Sequence, residues 1–189
     1  VQVRLLRIAE RILEDEGLEA VQARRLAKEA DCSVGTVYNV FGGLDGLIVA
    51  ANTQTLRAFG RAAAVALKRA ADNDVESRLL ALALAYFDFA VTHDRRWRAV
   101  FAHQLPETYE VPEEMKSDQA RLFALIEESI ATAVTDAAER ALYARALFAS
   151  VHGIVALALD RKIGNDDIRQ TERQIRVVVG LFARGLTRT

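Results

Sequence analysis

Apolar residues recur at steps of three and four along the N-terminal part of the chain, which is the spacing of an amphipathic helix. The first such helix spans about four turns, and its inward positions are Leu5, Ile8, Ala9, Ile12 and Leu13. Gly17 follows it and can adopt the positive φ that ends a helix. A short helix over about residues 24–30 and another over about residues 33–39 come next, with a tight turn at Asp31 and Cys32 between them.

The remainder of the chain keeps this periodicity in longer segments. It predicts helices over about residues 45–70, 75–92, 95–103, 113–135, 136–162 and 168–186, with Asp136 positioned as an N-cap. Loops are predicted at Pro106–Pro112 and Gly164–Asp167, where prolines, glycine and polar residues cluster. No segment alternates with period two for long, so the pattern favours an all-α protein of about nine helices.

Composition narrows the class of protein. Apolar residues make up 51% of the 189, which is enough to bury a core and too many for a disordered chain. The formal net charge of −1 means that a phosphate-bearing partner would have to be held by a local patch. The single cysteine, Cys32, excludes an internal disulfide, and apolar runs such as Leu79–Ala85 are shorter than the roughly 20 residues that cross a bilayer. We therefore expect a soluble, cytoplasmic protein that has no membrane partner.

The first three helices follow the layout of a helix-turn-helix, whose second short helix must fit the major groove of DNA. Ser33 is positioned to cap that helix with its hydroxyl. Val34 and Val37 lie three residues apart and are expected to face inward, with Phe41 closing the small core. The positions left outward are small or polar, as a helix that enters a groove requires.

Each outward side chain has a chemical role at DNA. Gly35 lets the helix approach closely, Thr36 and Asn39 can hydrogen-bond to base edges or phosphates, and Tyr38 can place its hydroxyl on a phosphate. Basic residues of the first two helices, among them Arg4 and Arg7, can hold phosphates. The full DNA-binding set predicted from the sequence is Arg24, Arg25, Lys28, Ser33, Val34, Gly35, Thr36, Tyr38 and Asn39.

The stretch from Leu26 to Phe41 resembles the TetR/AcrR-type regulators, which usually show Ile-Ala-x-x-Ala-Gly-Val-Ser-x-Gly-x-(Leu/Ile/Val)-Tyr-x-(His/Tyr)-Phe. The Ser-x-Gly start, the Tyr-x-x-Phe end, Gly17 and Leu47 all fall at the expected offsets. The chain departs from the pattern at the turn, where Asp31 replaces glycine, and at Val40, which replaces a frequent His or Tyr. Val21-Gln22 and Leu44 stand where phosphate-contacting residues are common, so those contacts are not assigned.

This resemblance implies two domains: a helix-turn-helix domain over residues 1–46 and a regulatory domain over residues 47–189. Regulators of this kind are dimers that bind a small molecule in the larger domain. The implied function is a repressor whose dimer binds a palindromic operator of double-stranded DNA. An effector would move the helix that begins near Asp45 and release the DNA. Phe148, His152 and Gly153 also resemble a subgroup with a Trp-x-x-x-His-Gly motif, with Phe148 in place of the tryptophan.

Candidate dimer and effector residues follow from the later helices. The helix over about residues 136–162 carries a stripe of small residues, and the last helix carries an apolar stripe. These two helices from each of two subunits could pack as a four-helix bundle, or both stripes could be ordinary core within one chain. They comprise Ala146, Ser150, Gly153, Leu157, Ile175, Val179 and Phe182. Aromatic and polarizable groups in the middle of the chain could line an apolar pocket, although such runs also form core. They comprise Tyr86, Phe89, Trp97, Phe101, His103, Met115 and Phe123.

The alternatives to a DNA-binding regulator are an enzyme and a helical protein-interaction adaptor. An enzyme is disfavoured because no His-x-x-x-His or Cys-x-x-Cys spacing signals a metal, and Gly42-Gly43 lacks the Lys-Ser/Thr of a phosphate loop. We expect no catalytic residues, no metal and no cofactor. A helical protein-interaction adaptor ranks between a DNA-binding regulator and an α-helical enzyme.

Overall fold

A computed structural model of the chain describes residues 1–70, 72–162 and 167–186. Within these ranges the protein is all-helical, as the periodicity predicts, with a short 3-10 helix at Leu18–Ala20 that the pattern did not indicate. The α-helices are α1 (Gln2–Asp15), α2 (Ala23–Glu29), α3 (Val34–Phe41), α4 (Leu44–Lys68), α5 (Val75–Thr92), α6 (Asp94–Ala102), α7 (Glu113–Ser129), α8 (Ala137–Leu159) and α9 (Ile168–Leu186).

The turns between the first helices form where the sequence predicts them. Gly17 has a φ of 90° after α1, and Asp31 adopts a φ of 52° in the turn after α2, where Asp is one of the few non-glycine residues tolerated. Ser33 caps α3, since its Oγ accepts a hydrogen bond from the Thr36 amide at 3.1 Å. Gly42 ends α3 in the left-handed conformation.

The boundaries of the later helices agree with the sequence prediction to within about three residues, except at the end of α7. α7 ends at Ser129 rather than near residue 135, because the chain turns there and buries Ile130 completely. Arg140 then donates to the carbonyl oxygens of Val134 and Thr135, at 3.0 and 2.7 Å, while Asp136 caps α8 as predicted. Most of the predicted turn at Gly164–Asp167 lies outside the described residues.

The chain divides into two compact units. The first comprises Val1–Ala58 and His93–Gln119, and the second comprises Phe59–Thr92 and Ala120–Thr189, of which the structure describes all but Ala71 and the ranges 163–166 and 187–189. These units are defined by packing, so the functional boundary expected at residue 46 stays a prediction. The three N-terminal helices, α4 and α6 nevertheless share one hydrophobic core.

The core of the first unit is built mainly from the inward faces of α1, α2, α3 and α4. These side chains fill the space between the short helices and so fix the position of α3. The fully or nearly buried members are Leu5, Ala9, Ile12, Leu13, Val21, Leu26, Ala27, Ala30, Val37, Leu47, Ile48, Ala51 and Ala99. Cys32 and Phe41 pack against this core from partly buried positions.

Polar contacts join α6 to α4 within the first unit. The buried Asn52 donates from Nδ2 to the Ala99 carbonyl at 3.2 Å, and Arg96 donates from Nε to the Thr55 hydroxyl at 2.7 Å. His103 Nε2 lies 2.9 Å from Asp45 Oδ1 at the start of α4. These directional contacts fix the register of α6 along α4, because each depends on one helical position.

The second unit is formed by α5, α8 and α9, which pack together with the later part of α4 and most of α7. Rings from four helices meet in its interior, where Phe59, Tyr86, Phe89, Phe123 and Phe148 make edge and tilted contacts 5.5–5.8 Å apart. Within the described ranges, α8 is the single helix long and apolar enough to cross a membrane, and 22% of its most apolar stretch is buried in the chain.

Candidate DNA-binding interface

The outward side of α3 is uncharged and largely exposed. Val37 is completely buried and anchors the helix, whereas Tyr38 is 51% exposed and Gly35 and Asn39 also lie outward. The expectation that Val34 faces inward is wrong, because its side chain is 37% exposed. Val34 is the first residue of α3 and lies outside the hydrophobic core. Val37 and Phe41, further along the helix, are the residues that pack in or against this core and anchor α3.

The hydroxyls at the start of α3 are linked to each other. Ser33 Oγ lies 2.9 Å from Thr36 Oγ1 and also accepts the Thr36 amide. These bonds hold both side chains in one arrangement before any partner arrives, which lowers the entropy cost of a contact. Ser33 caps α3 as the sequence predicts, whereas Thr36, which was predicted to lie outward, is half-buried.

Two glycines beside the interface have opposite surroundings. A Cβ added at Gly35 would meet only Ser33 Oγ, at an ordinary 3.6 Å. A Cβ at Gly46 would lie 1.9 Å from the Phe41 carbonyl oxygen, closer than atoms can approach. Gly46 therefore lets the end of α3 contact the first turn of α4, whereas nothing in the folded chain requires a glycine at Gly35.

The predicted cations on α2 fall into two groups. Arg24 and Lys28 are exposed. Arg25 instead donates from Nη1 to Glu16 Oε2 at 2.8 Å and from Nε to Glu29 Oε1 at 2.9 Å. These hydrogen bonds raise the pKa of Arg25 and lower the pKa of both carboxyl groups. Arg25 thus links the end of α1 to the end of α2.

Glu29 is the centre of this cluster and was missed in the sequence. It pairs with Arg11 as well as Arg25, and its carbonyl oxygen accepts from Arg4 at 3.2 Å. The spacing of four residues between Arg25 and Glu29 was the available signal, because it places the two charges on neighbouring turns of one helix face. Two of the cations expected at DNA, Arg4 and Arg25, are therefore engaged within the chain.

Two family models match the chain. Residues 5–51 match bacterial regulatory proteins of the tetR family, and residues 79–181 match the tetracyclin repressor-like C-terminal domain. The chain belongs to the TetR family of transcriptional regulators. It is a DNA-binding regulator, and membership of this family places it among transcription factors rather than enzymes. The resemblance noted in the sequence is confirmed.

Solved structures share this fold at low sequence identity. A protein of unknown function from Rhodococcus sp. RHA1 is 22% identical, with a TM-score of 0.79 over 98% of this chain and 95% of that one. SCO7222, a TetR from Streptomyces coelicolor, is 18% identical, with a TM-score of 0.69 over 100% and 98%. BioQ, solved with its natural double-stranded DNA operator, is 20% identical, with a TM-score of 0.66 over 100% and 99%. No curated protein sequence matches the chain.

The residues predicted for an effector pocket divide between the two units of this TetR-family chain. Tyr86, Phe89 and Phe123 belong to the aromatic cluster of the second unit. The remainder lie in the first unit, where Trp97 and Met115 are buried, His103 contacts Asp45, and Phe101 is exposed beside the Trp97 ring. Among the described residues, no three potential metal ligands come together.

His152 is a member of the aromatic cluster. Its Nδ1 lies 2.6 Å from the Tyr86 hydroxyl, and its ring stacks on Phe148 at a centroid distance of 5.6 Å. Burial lowers the pKa of this imidazole, which favours the neutral form. These contacts give His152 a structural role in the aromatic cluster.

The predicted dimer residues are exposed on α8 and largely buried on α9. Ala146, Ser150 and Leu157 lie outward and Gly153 is half-buried, whereas Ile175 and Val179 are completely buried in their own unit. Phe182 is half-buried against Tyr143. The exposed large apolar residues of α9 are instead Ile168, Val177 and Leu181. A groove of about 770 Å³ lies between α8 and α9, with Ile154, Leu157, Val177 and Val178 as its apolar lining.

Proposed function

We propose that this protein is a cytoplasmic transcriptional repressor that binds a palindromic operator as a homodimer and is released by a small-molecule effector. The observation that supports it most directly is the outward side of α3, where Val34, Gly35, Tyr38 and Asn39 form one exposed, uncharged stripe. A helix must present such a surface to enter the major groove, while Val37 holds its other side in the core.

Phosphate contacts position this helix in the proposal. Arg24 and Lys28 lie four residues apart on α2, so they share one face of that helix and can neutralise neighbouring phosphates. The Ser33 and Thr36 hydroxyls and the Tyr38 hydroxyl add uncharged donors. Arg25 takes no part in the proposed contact, because its guanidinium already bonds two carboxylates.

Dimerisation is proposed through α8 and α9. Val177 and Leu181 are 53% and 60% exposed, and the small residues Ala146, Ser150 and Gly153 on α8 allow close approach of a second helix. An exposed apolar surface of this kind marks an interaction site. Two-fold symmetry would then place the two α3 helices one DNA turn, roughly 34–36 Å, or a multiple of it apart.

Effector binding is proposed in the second unit, beside Tyr86, Phe89 and Phe123. An aromatic interior with few polar groups is typical of a small-molecule site. α4 contributes residues to both units, so a ligand that shifts this helix can change the separation of the two reading helices. Such an effector must bind the released state more tightly than the DNA-bound state, and DNA must in turn weaken its binding.

The experiment compares two glycine variants in DNA binding. A duplex enriched by the purified protein from genomic fragments is titrated by fluorescence anisotropy with wild type, Gly35→Ala and Gly60→Ala. A methyl group at Gly35 fits the free protein but would intrude between α3 and DNA, so affinity should fall about tenfold or more. Gly60 lies in α4 away from α3, and a Cβ there would meet only Leu122 Cδ2 at 3.4 Å, so this variant should bind DNA as wild type does. Equal affinity of the two variants would argue against α3 as the reading helix.

A further inference from the structure

We propose that α3 reads A·T base pairs, with Val34 against the methyl group of a thymine and Asn39 hydrogen-bonded to an adenine. This inference rests on the proposed function, because it assigns the class of DNA sequence that the repressor recognises. It follows from which side chains of α3 are exposed and from their chemistry.

The recognition helix carries no charged side chain. Its sequence is Val-Gly-Thr-Val-Tyr-Asn-Val-Phe, and the next residues on either side are Ser33 and Gly42. The commonest specific contact in the major groove is Arg or Lys to the O6 and N7 atoms of guanine. α3 cannot make that contact, so its readout must use apolar, hydroxyl and amide groups.

Val34 offers an apolar group at the end of α3 that enters the groove first. Recognition helices of this type contact base edges with their N-terminal residues. Val34, in the first turn, is 37% exposed, so part of its apolar surface is accessible to a partner. The only apolar group that the bases present in the major groove is the C5-methyl of thymine.

Asn39 supplies the polar part of the readout. Its side chain is exposed one turn after Gly35, on the same outward stripe as Val34 and Tyr38. The carboxamide matches the N6 and N7 atoms of adenine as a bidentate partner. Val34 and Asn39 are separated by about 7.5 Å along the helix axis. Both contacts therefore fall within about three base pairs of one half-site.

The first test is selection from a pool of duplexes with a randomised central region. Wild type should enrich half-sites with A·T pairs at two positions within about three base pairs of each other. Val34→Ala should lose the preference for thymine at one position, and Asn39→Ala should lose the preference for adenine at the other. Val65→Ala is the matched control, because Val65 is a similarly exposed valine in the second unit and should change neither preference.

The second test removes only the methyl group, by replacing the selected thymine with deoxyuridine in the enriched duplex. Wild-type affinity should fall about fourfold per half-site, which corresponds to one buried methyl group, and Val34→Ala should bind both duplexes equally. Enrichment of guanine at these positions, or an equal response of the two proteins to deoxyuridine, overturns the A·T readout and leaves the proposed function intact. If the wild type retains no duplex at all, the proposed function itself fails.

Discussion

Gly46→Ala tests whether the close contact between α3 and α4 is required by the fold. The added Cβ would lie 1.9 Å from the Phe41 carbonyl oxygen and 3.0 Å from the carbonyl carbon. Real Cβ atoms keep at least 3.0 Å from such atoms, so the backbone at Phe41 must move by about 1.1 Å, the difference between 3.0 and 1.9. The obstacle is backbone rather than a flexible side chain, so no rotamer change relieves it.

The free energy of unfolding should fall despite the better helix propensity of alanine. Forcing extra volume into a packed contact costs typically about 1–3 kcal/mol. Alanine recovers roughly 0.5–1 kcal/mol of backbone entropy in a helix. The net destabilisation should therefore lie between about 0 and 2.5 kcal/mol, with a central value of about 1.3 kcal/mol. Gly35→Ala is the matched control in the same unit, since its Cβ meets only an atom at 3.6 Å and the variant should be as stable as wild type or more so.

Urea unfolding followed by circular dichroism measures both variants. Gly46→Ala should lower the midpoint with little change in the slope, and Gly35→Ala should leave the midpoint unchanged or raise it. Displacing the end of α3 by about 1.1 Å should also weaken DNA binding of the folded Gly46→Ala protein. Equal midpoints for the two variants would refute the argument that the Phe41 carbonyl leaves no room at Gly46.

Three further predictions address other parts of the molecule. Arg25→Ala should lower the urea midpoint but leave the salt dependence of DNA binding unchanged, whereas Arg24→Ala should reduce the slope of log K against log salt by about 0.9 per protomer; equal slopes for both variants would contradict this assignment. Stability of the wild type should decline as the pH falls below 6.5, because burial lowers the pKa of His152 and the unfolded chain then binds more protons than the folded one. His152→Asn should reduce that decline between about pH 7.5 and about pH 5.5 in urea titrations, and an undiminished decline would exclude His152 as its source. Leu157→Glu should give a monomer by light scattering with its helix content retained, and a persisting dimer would place the interface elsewhere.

The helices could be predicted from the sequence because each carries a local signal. The apolar spacing of Leu5 to Leu13 marks a buried face, and Ser33 and Asp136 mark helix starts that the structure confirms. The end of α7 was placed about six residues too late. Ile130 and Val134 continue its apolar spacing, but they are buried in a turn whose Val134 carbonyl oxygen accepts from Arg140 of the next helix.

The candidate site was predicted less completely, because exposure depends on tertiary packing. Val34 and Val37 have the same side chain three residues apart, yet one is exposed and the other fully buried. The spacing alone could not distinguish them. Likewise, a basic residue on α2 is equally plausible at DNA or in an ion pair, and the pairing of Arg25 with Glu16 depends on how α1 and α2 pack.

The packing of the 93–119 segment in the first unit defines what can be transplanted between regulators of this family. A hybrid that takes only residues 1–46 would leave behind Ala99 of the shared core and the His93 side chain, whose Nδ1 lies 2.7 Å from Glu14 of α1. The unit that contains α3 is discontinuous in sequence, because it includes residues 93–119 as well as residues 1–58. To change operator specificity, an experimenter should therefore exchange residues 1–58 and 93–119 together, or alter the exposed stripe of α3 alone.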